Sequence, residues 1–152
     1  MSVPKSVVKF KKGTVEYTSN VEFVQYTIRE LTRAALRDVG RFISRKSNSA
    51  AMRLHGLSKS RRVRGKNSAF QFWVRKQETD LQVGIKHGTW YGVAQELGSS
   101  KIPKLGILRN TTYDNIPTIV EIESKYLSGL ESEAAALALI DEGEYMGGGG
   151  DD

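Results

Sequence analysis

The sequence predicts an α+β domain, with a long N-terminal helix packed on a small antiparallel β-sheet and further helices at the C-terminal end. Three observations lead to this fold class: an apolar stripe of helical period over residues 20–46, two short alternating segments after residue 68, and strong helix formers after residue 117. The 152 residues, 39% of them hydrophobic, are enough for one modest core. We therefore expect a single domain over residues 1–142, followed by a flexible Gly/Asp tail over residues 143–152.

The first predicted elements are short extended segments and a long helix. Residues 7–18 alternate weakly around Lys11-Lys12-Gly13, a pattern typical of strands. Ser19 and Glu22 then fit the S-x-x-E capping box, so we expect a helix from about Asn20 to about Lys46. One face of that helix is apolar, at positions Val24, Ile28, Leu31, Ala35, Val39 and Phe42.

Beside this apolar stripe, the helix carries an arginine at every fourth position. The row consists of Arg29, Arg33, Arg37, Arg41 and Arg45. Like charges at this spacing repel each other by a few tenths of a kcal/mol per pair. Two interpretations stay open at this point: a solvated helix face, or a surface that meets phosphate groups or an acidic partner.

After residue 68 the sequence predicts a β-hairpin and then more helices. The segments "AFQFWVRK" and "LQVGIK" alternate, residues 77–80 supply the turn, and the apolar face should pack on the long helix. That face consists of Phe70, Phe72, Val74, Leu81, Val83 and Ile85. "TWYGVAQELG" predicts a short helix or irregular turn, a helix should start near Pro117, and "ESEAAALALIDEGE" continues or repeats it.

Between the long helix and the hairpin, residues 47–68 predict a long basic loop. The stretch from Arg41 to Lys66 holds nine basic residues and no acid. Arg53–Lys66 contains no Phe, Tyr or Trp for base stacking and no recognition-helix pattern, so if the loop contacts nucleic acid, the duplex backbone is the expected target. The candidate contacts are Arg53, Lys59, Arg61, Arg62, Arg64 and Lys66.

Charge is divided unevenly along the chain. The net charge of +6 combines 22 basic and 7 acidic residues before position 111 with one lysine and 10 acidic residues after it. A chain divided in this way can bind a polyanion with one part, or another copy of itself head to tail. Solvated faces that merely differ in charge are the alternative.

The sequence offers little for catalysis. It has two histidines, His55 and His87, no cysteine, and no glycine-rich phosphate loop between a strand and a helix. We therefore expect no enzyme activity, no metal site and no cofactor. Apolar runs are too short for a membrane span, no secretory signal opens the chain, and the absence of cysteine fits a reducing cytosol.

The segment "YGVAQELGSSKIPKLGIL" resembles the tail-completion (neck, or head–tail joining) proteins of long-tailed bacteriophages. Their pattern of Tyr-Ala, Glu, an apolar residue, Gly-Thr and Pro is matched here by Tyr91, Glu96, Leu97, Gly98 and Pro103. The order of elements agrees over roughly residues 20–130. The sequence departs from the pattern at Gly92, Ser99 and Lys104, and it lacks the Pro-x-x-Thr-Gly signature after the first helix.

The same residues have a physical interpretation of their own. Gly98 can adopt positive φ and turn the chain sharply, and Pro103 stiffens the exit from that turn. Glu96 either orients backbone donors, or pairs with a basic neighbour, or is simply exposed.

The resemblance implies a structural virion protein, assembled in the host cytoplasm and located in the neck of the phage. It would form a ring, expected to be a hexamer, between the head-closure or connector protein and the tail tube or tail terminator protein, and duplex DNA would pass through the lumen. The basic loop would face that DNA or an acidic neighbour. A head-to-tail subunit contact is expected between two sets of residues: Arg29, Arg33 and Arg37, and Glu121, Glu123 and Glu131. The alternative function is a free, non-specific double-stranded nucleic-acid-binding protein.

Overall fold

A helix of 33 residues organises the fold. The computed structural model describes residues 8–12, 15–19, 21–53, 69–75, 79–87 and 90–145. In chain order the elements are β1 (Val8–Lys12), β2 (Val15–Ser19), α1 (Val21–Arg53), β3 (Phe70–Arg75), β4 (Asp80–Ile85), α2 (Trp90–Leu97), α3 (Ile107–Asp114), α4 (Ile116–Ser128) and α5 (Glu133–Tyr145), with a 3₁₀ turn over Gly129–Glu131. β1 pairs with β2 and β3 with β4, each as an antiparallel hairpin, so the predicted α+β class is confirmed.

The helix α1 is longer than the sequence predicted. It ends at Arg53, so the prediction that residues 47–68 form a loop is wrong for residues 47–53. This last part is rich in small residues, which let the helix approach β3 closely: Ser47 is fully buried, and Ala51 packs with Ala69 and Phe70. At the other end, the sequence predicted that Ser19 is the N-cap residue of α1. Ser19 is instead the last residue of β2, two residues before α1 begins at Val21.

The predicted hairpin is confirmed and is attached to α1 through side-chain hydrogen bonds. Phe72 lies opposite Val83, and Phe70 opposite Ile85. At the start of β3, the Ser44 hydroxyl donates to the Phe70 carbonyl at 2.7 Å, and the Asn48 amide donates to the same oxygen and accepts the Phe70 N–H. Because α1 satisfies these backbone groups, the two-stranded sheet does not have to stand alone.

Two buried clusters form the core, and α1 contributes to both. The first consists of Leu31, Ala34, Ala35, Tyr126, Ala136 and Ile140, and the second of Ala51, Ala69, Phe70 and Ile107. Leu31, Ala35 and Val39 of the predicted apolar stripe are buried, but Val24 and Ile28 are 51% and 45% exposed. The predicted apolar face is therefore core only from Leu31 onward.

The C-terminal part is helical, as predicted, with two differences. α4 begins at Ile116, close to the predicted start, but α3 precedes it where no helix was predicted. α5 extends to Tyr145, so residues 143–145 of the predicted flexible tail are helical, and residues 146–152 lie outside the described residues. None of the helices described is both long and apolar enough to cross a lipid bilayer.

Candidate functional site

The C-terminal half of α1 forms one wall of an open groove of ≈ 660 Å³, and the junction of α3 and α4 forms the other. The groove exists because Ile107, at the start of α3, packs in the same buried cluster as Ala51 of α1. Four cations line the α1 wall: Arg41, Arg45, Lys46 and Arg53. Thr111, Asp114 and Asn115 line the opposite wall. The groove thus carries four cations and two carboxylates, those of Asp38 and Asp114, and its net charge is positive.

The four cations differ in how strongly they are already engaged. Arg41 forms an ion pair with Asp38 at 2.8 Å, and the Tyr126 hydroxyl donates a hydrogen bond to the same carboxylate. The Lys46 ammonium lies 5.7 Å from the centroid of the Phe42 ring, which orients it. Arg45, Lys46 and Arg53 are exposed. These three side chains therefore present most of the positive charge of the groove to a ligand.

The predicted basic loop begins at this groove. Arg53 is the last residue of α1, is exposed, and lines the groove. Lys59, Arg61, Arg62, Arg64 and Lys66 lie outside the described residues. The stretch from Arg41 to Lys66 contains nine cations, and four of them belong to α1 and line the groove. The other five follow Arg53 in the chain.

The arginine row does not form one face of α1. A step of four residues rotates by about 40° more than one full turn, so a row at this spacing winds around a long helix. Arg29 and Arg45 are exposed, Arg37 is half-buried, and Arg33 is only 6% exposed. Arg33 forms an ion pair with Glu30 at 2.7 Å, and both side chains are buried. The prediction that Arg33 meets another subunit is therefore wrong, since it is enclosed within its own chain.

The acidic members of the predicted subunit contact are on the surface. Glu121 and Glu123 lie on α4, Glu131 ends the 3₁₀ turn, and all three are exposed. Arg29 precedes Arg45 by about 24 Å along the helix, so it is too far from most of the groove cations to act with them. Arg37 is half-buried and lies one turn before Arg41, but it does not line the groove. The structure of one chain does not bring the acidic set against the basic set.

Glu96 connects α2 to α3. Its carboxylate accepts hydrogen bonds from the backbone N–H groups of Leu108 and Arg109, at 3.0 and 3.1 Å. These are free donors of the first turn of α3, and a negative charge there also interacts favourably with the helix dipole. Of the roles open to Glu96 from the sequence, the orientation of backbone donors is the one observed.

The residues around Glu96 form a tight turn between the two helices. Gly98 has φ +85°, as its predicted role requires, and a Cβ there would lie 3.1 Å from the Cβ of Lys104. Ser99 pairs with Ile102, after which the exposed Pro103 leads to Gly106, whose φ is +57°. Tyr91 belongs to α2, and its side chain lies outside the described set.

Tyr126 has a hydroxyl group whose pKa is perturbed. Burial raises the pKa of the Tyr126 hydroxyl well above its usual range, and the hydrogen bond to Asp38 raises it further. The phenol therefore stays neutral and fixes Asp38 beside Arg41. Among the described residues there is no group of three or more His, Cys, Asp or Glu side chains placed to hold a metal ion.

No protein-family model, curated protein or solved structure matches this chain. The groove and the turn between α2 and α3 are the features of this chain that bear on its function. The sequence identified Glu96, Gly98 and, of the groove cations, Arg53; it counted Arg41, Arg45 and Lys46 as basic residues without assigning them to a site. Gly106 was not identified from the sequence, although a glycine directly before "ILRN" is a signal for the start of a helix there. Nor did the sequence distinguish exposed arginines from buried ones.

Proposed function

We propose that this protein is a structural subunit of the neck of a long-tailed bacteriophage, in a homo-oligomeric ring through which duplex DNA passes. The observation that carries the proposal is the basic groove, with Arg45, Lys46 and Arg53 exposed along one wall and five further cations following in the chain. A lumen that guides DNA needs positive charge without sequence preference. The resemblance of residues 91–108 to tail-completion proteins supplies the structural context.

The groove suits contacts that form and break easily. Its exposed cations are on flexible side chains, and its one aromatic residue, Phe42, is half-buried beneath Lys46. Phosphate contacts of this kind are independent of sequence and exchange readily, whereas stacked bases would hold a strand in place. Such contacts would let DNA slide past the subunit.

The turn between α2 and α3 supports a scaffold role for the residues that carry the resemblance. Glu96 and Gly98 each have a structural role in this chain, since Glu96 caps α3 and Gly98 allows the turn. In the proposed assembly the partners are other copies of this chain, the head-closure or connector protein, and the tail tube or terminator protein. The location is the virion neck.

Duplex binding by purified protein tests the role of the groove. Fluorescence anisotropy with a random duplex, at about 50 and 200 mM salt, should show weak binding that is lost at the higher salt. The slope of the logarithm of the association constant against the logarithm of the salt concentration is negative. The variant R45Q/K46Q/R53Q should make it smaller in magnitude by about 2 to 3, since each phosphate contact contributes about 0.9. The control K101Q/K104Q/K125Q removes the same charge from exposed positions outside the groove and should leave most of the slope intact.

A free, non-specific duplex-binding protein is the second candidate, and the same groove favours it. A dedicated binder has to hold DNA by itself, so submicromolar binding at 200 mM salt would replace the neck proposal with this one. A slope reduced equally by the groove variant and by the control would show that overall charge, and not the groove, attracts the duplex.

A further inference from the structure

One side of α4 is apolar and exposed. Ile116, Val120 and Leu127 are 46%, 53% and 66% exposed, and their spacings of four and seven place them on a single stripe. Glu123 lies on the same stripe, three residues after Val120 and four before Leu127, and it is exposed. The adjacent side of α4 already packs on α1 through the buried Tyr126. This stripe therefore points away from the core of its own chain.

The beginning of α1 presents a second exposed apolar stripe. Val21, Val24 and Ile28 are 57%, 51% and 45% exposed, at spacings of three and four residues. Arg29 follows Ile28 in the chain, is exposed, and lies about 100° around the helix from it, at the edge of the stripe. It is the one exposed cation in the first three turns of α1, over residues 21–32. The stripe extends over about 10 Å of helix, and the stripe on α4 over about 16 Å, so the two are comparable in length.

We propose that the α4 stripe of one copy of this chain packs against the α1 stripe of a second copy, with Glu123 facing Arg29. The α4 stripe has Glu123 within it, and the α1 stripe has Arg29 at its edge, on the side of the helix that also carries the exposed Glu22 seven residues earlier. Burial of either charge without a partner would be costly, so a partner with the opposite charge is required. This inference rests on the proposed ring and deepens it, because it names the two faces through which the subunits meet.

The charge on α4 also determines the symmetry of the contact. Two α4 helices packed against each other across a two-fold axis would bring Glu123 close to Glu123, and like charges in a buried contact repel. A contact between two different faces avoids this repulsion. Contacts of that type continue from subunit to subunit and generate rings when the rotation closes.

Molar mass in solution tests the contact. Size-exclusion chromatography with light scattering should give an oligomer for the wild-type chain and monomers for V120E and for I28E, since each variant places an unpaired carboxylate in a stripe. Both positions are exposed, so circular dichroism should show an unchanged fold. The control L97E alters an equally exposed apolar residue on α2, outside both stripes, and should assemble normally.

Mixing the two variants tests the pairing of faces. V120E retains a functional α1 stripe and I28E retains a functional α4 stripe, so an equimolar mixture should form a one-to-one dimer and nothing larger. Native mass spectrometry distinguishes this dimer from either monomer. The charge reversals R29E and E123R should each weaken assembly, and the double variant R29E/E123R should restore it.

Three outcomes would overturn the inference. Rings formed by V120E or I28E as readily as by wild type would place the contact elsewhere, while leaving the proposed neck function intact. A mixture of the variants that stays monomeric would exclude the pairing of α4 with α1. A wild-type chain that is monomeric at high concentration would exclude self-association through these faces, and duplex binding would then decide the proposed function independently.

Discussion

A single carboxylate, that of Glu96, joins two helices that are separated by a turn of nine residues. It accepts hydrogen bonds from two backbone N–H groups at the start of α3. The N-cap residue of α3 is Gly106, which has no side chain to accept these hydrogen bonds. Glu96 thus performs from a distance the task that Ser, Thr or Asp usually performs locally.

Replacement of Glu96 should destabilise the protein without affecting the groove cations. We expect E96A to lower the free energy of unfolding by about 1–2 kcal/mol, since the half-buried N–H of Leu108 and the exposed N–H of Arg109 lose their acceptor. E96Q keeps one acceptor oxygen and should lose less. Urea unfolding measures both, with D141A as the control that removes an exposed carboxylate from α5. Equal midpoints for E96A and D141A would contradict the capping role.

Tyr126 acts at the same scale, through its hydrogen bond to Asp38 in the buried contact of α4 with α1. We expect Y126F to cost about 1–2 kcal/mol at neutral pH, because a hydrogen bond to a charged acceptor is lost.

The pH dependence of this difference has a definite sign. Because the pKa of folded Tyr126 is raised, the native state retains its proton when the unfolded state loses it. The stability contributed by the neutral phenol is complete below about pH 10, the ordinary tyrosine pKa, and decreases as the pH rises beyond it. The difference in the free energy of unfolding between wild type and Y126F should therefore become smaller above about pH 10. A gap that widened there would show that the phenol is not held neutral.

At the scale of elements, the contact of α1 with the hairpin depends on a glycine. A Cβ at Gly40 would lie 2.7 Å from Phe72 Cγ and 2.7 Å from Leu81 Cδ1, well inside van der Waals distance. The helix can approach β3 and β4 so closely only because Gly40 has no side chain.

The substitution G40A should therefore destabilise the protein, although alanine favours helix by about 1 kcal/mol over glycine. Overpacking costs about 1–3 kcal/mol, so we expect a net loss of up to about 2 kcal/mol, measured by urea unfolding. S49A, at an exposed position of the same helix, controls for helix propensity and should be neutral or slightly stabilising. A stabilised G40A would mean that the hairpin shifts without cost.

The hairpin and α4 could be predicted from the sequence because their patterns are local. The alternation of Phe70, Phe72 and Val74 continues across β3, and Pro117 marks the start of α4. The helix α3 could not be predicted in this way, because "ILRNTTYD" has weak periodicity and its first turn is capped by Glu96, which precedes it by more than ten residues. The last turns of α1 were missed for a similar reason, since the small residues there pack on Phe70 of another element.

For the candidate site, the cations could be counted but not placed. A spacing of four residues suggested one surface from Arg29 to Arg45, yet rotation along the helix buries Arg33 between them. Only the tertiary packing decides which of these side chains reach solvent.

At the scale of the whole molecule, α1 carries the surfaces of the two proposed functions at opposite ends. The groove cations lie on its C-terminal half and the exposed apolar stripe on its first turns, with Ile28 and Arg53 about 37 Å apart along the helix axis. Duplex contact and self-assembly are therefore expected to be separable by mutation.

This separation gives a prediction for variants already described. R45Q/K46Q/R53Q should assemble like wild type in light scattering while losing duplex affinity. I28E should be monomeric, and its salt dependence per bound chain in anisotropy should match that of wild type, although the loss of multivalency lowers its overall affinity. Coupled loss of both properties in either variant would contradict the assignment of the two functions to opposite ends of α1.

The first core cluster has a consequence for synthesis of the chain. Leu31 of α1 packs with Ala136 and Ile140 of α5, which are made more than a hundred residues later. At about 5–20 residues per second, a ribosome takes about 5–20 s to supply them. During that time the apolar face of α1 has emerged without its partners, so the nascent chain should be a substrate for chaperones until its last helix is complete.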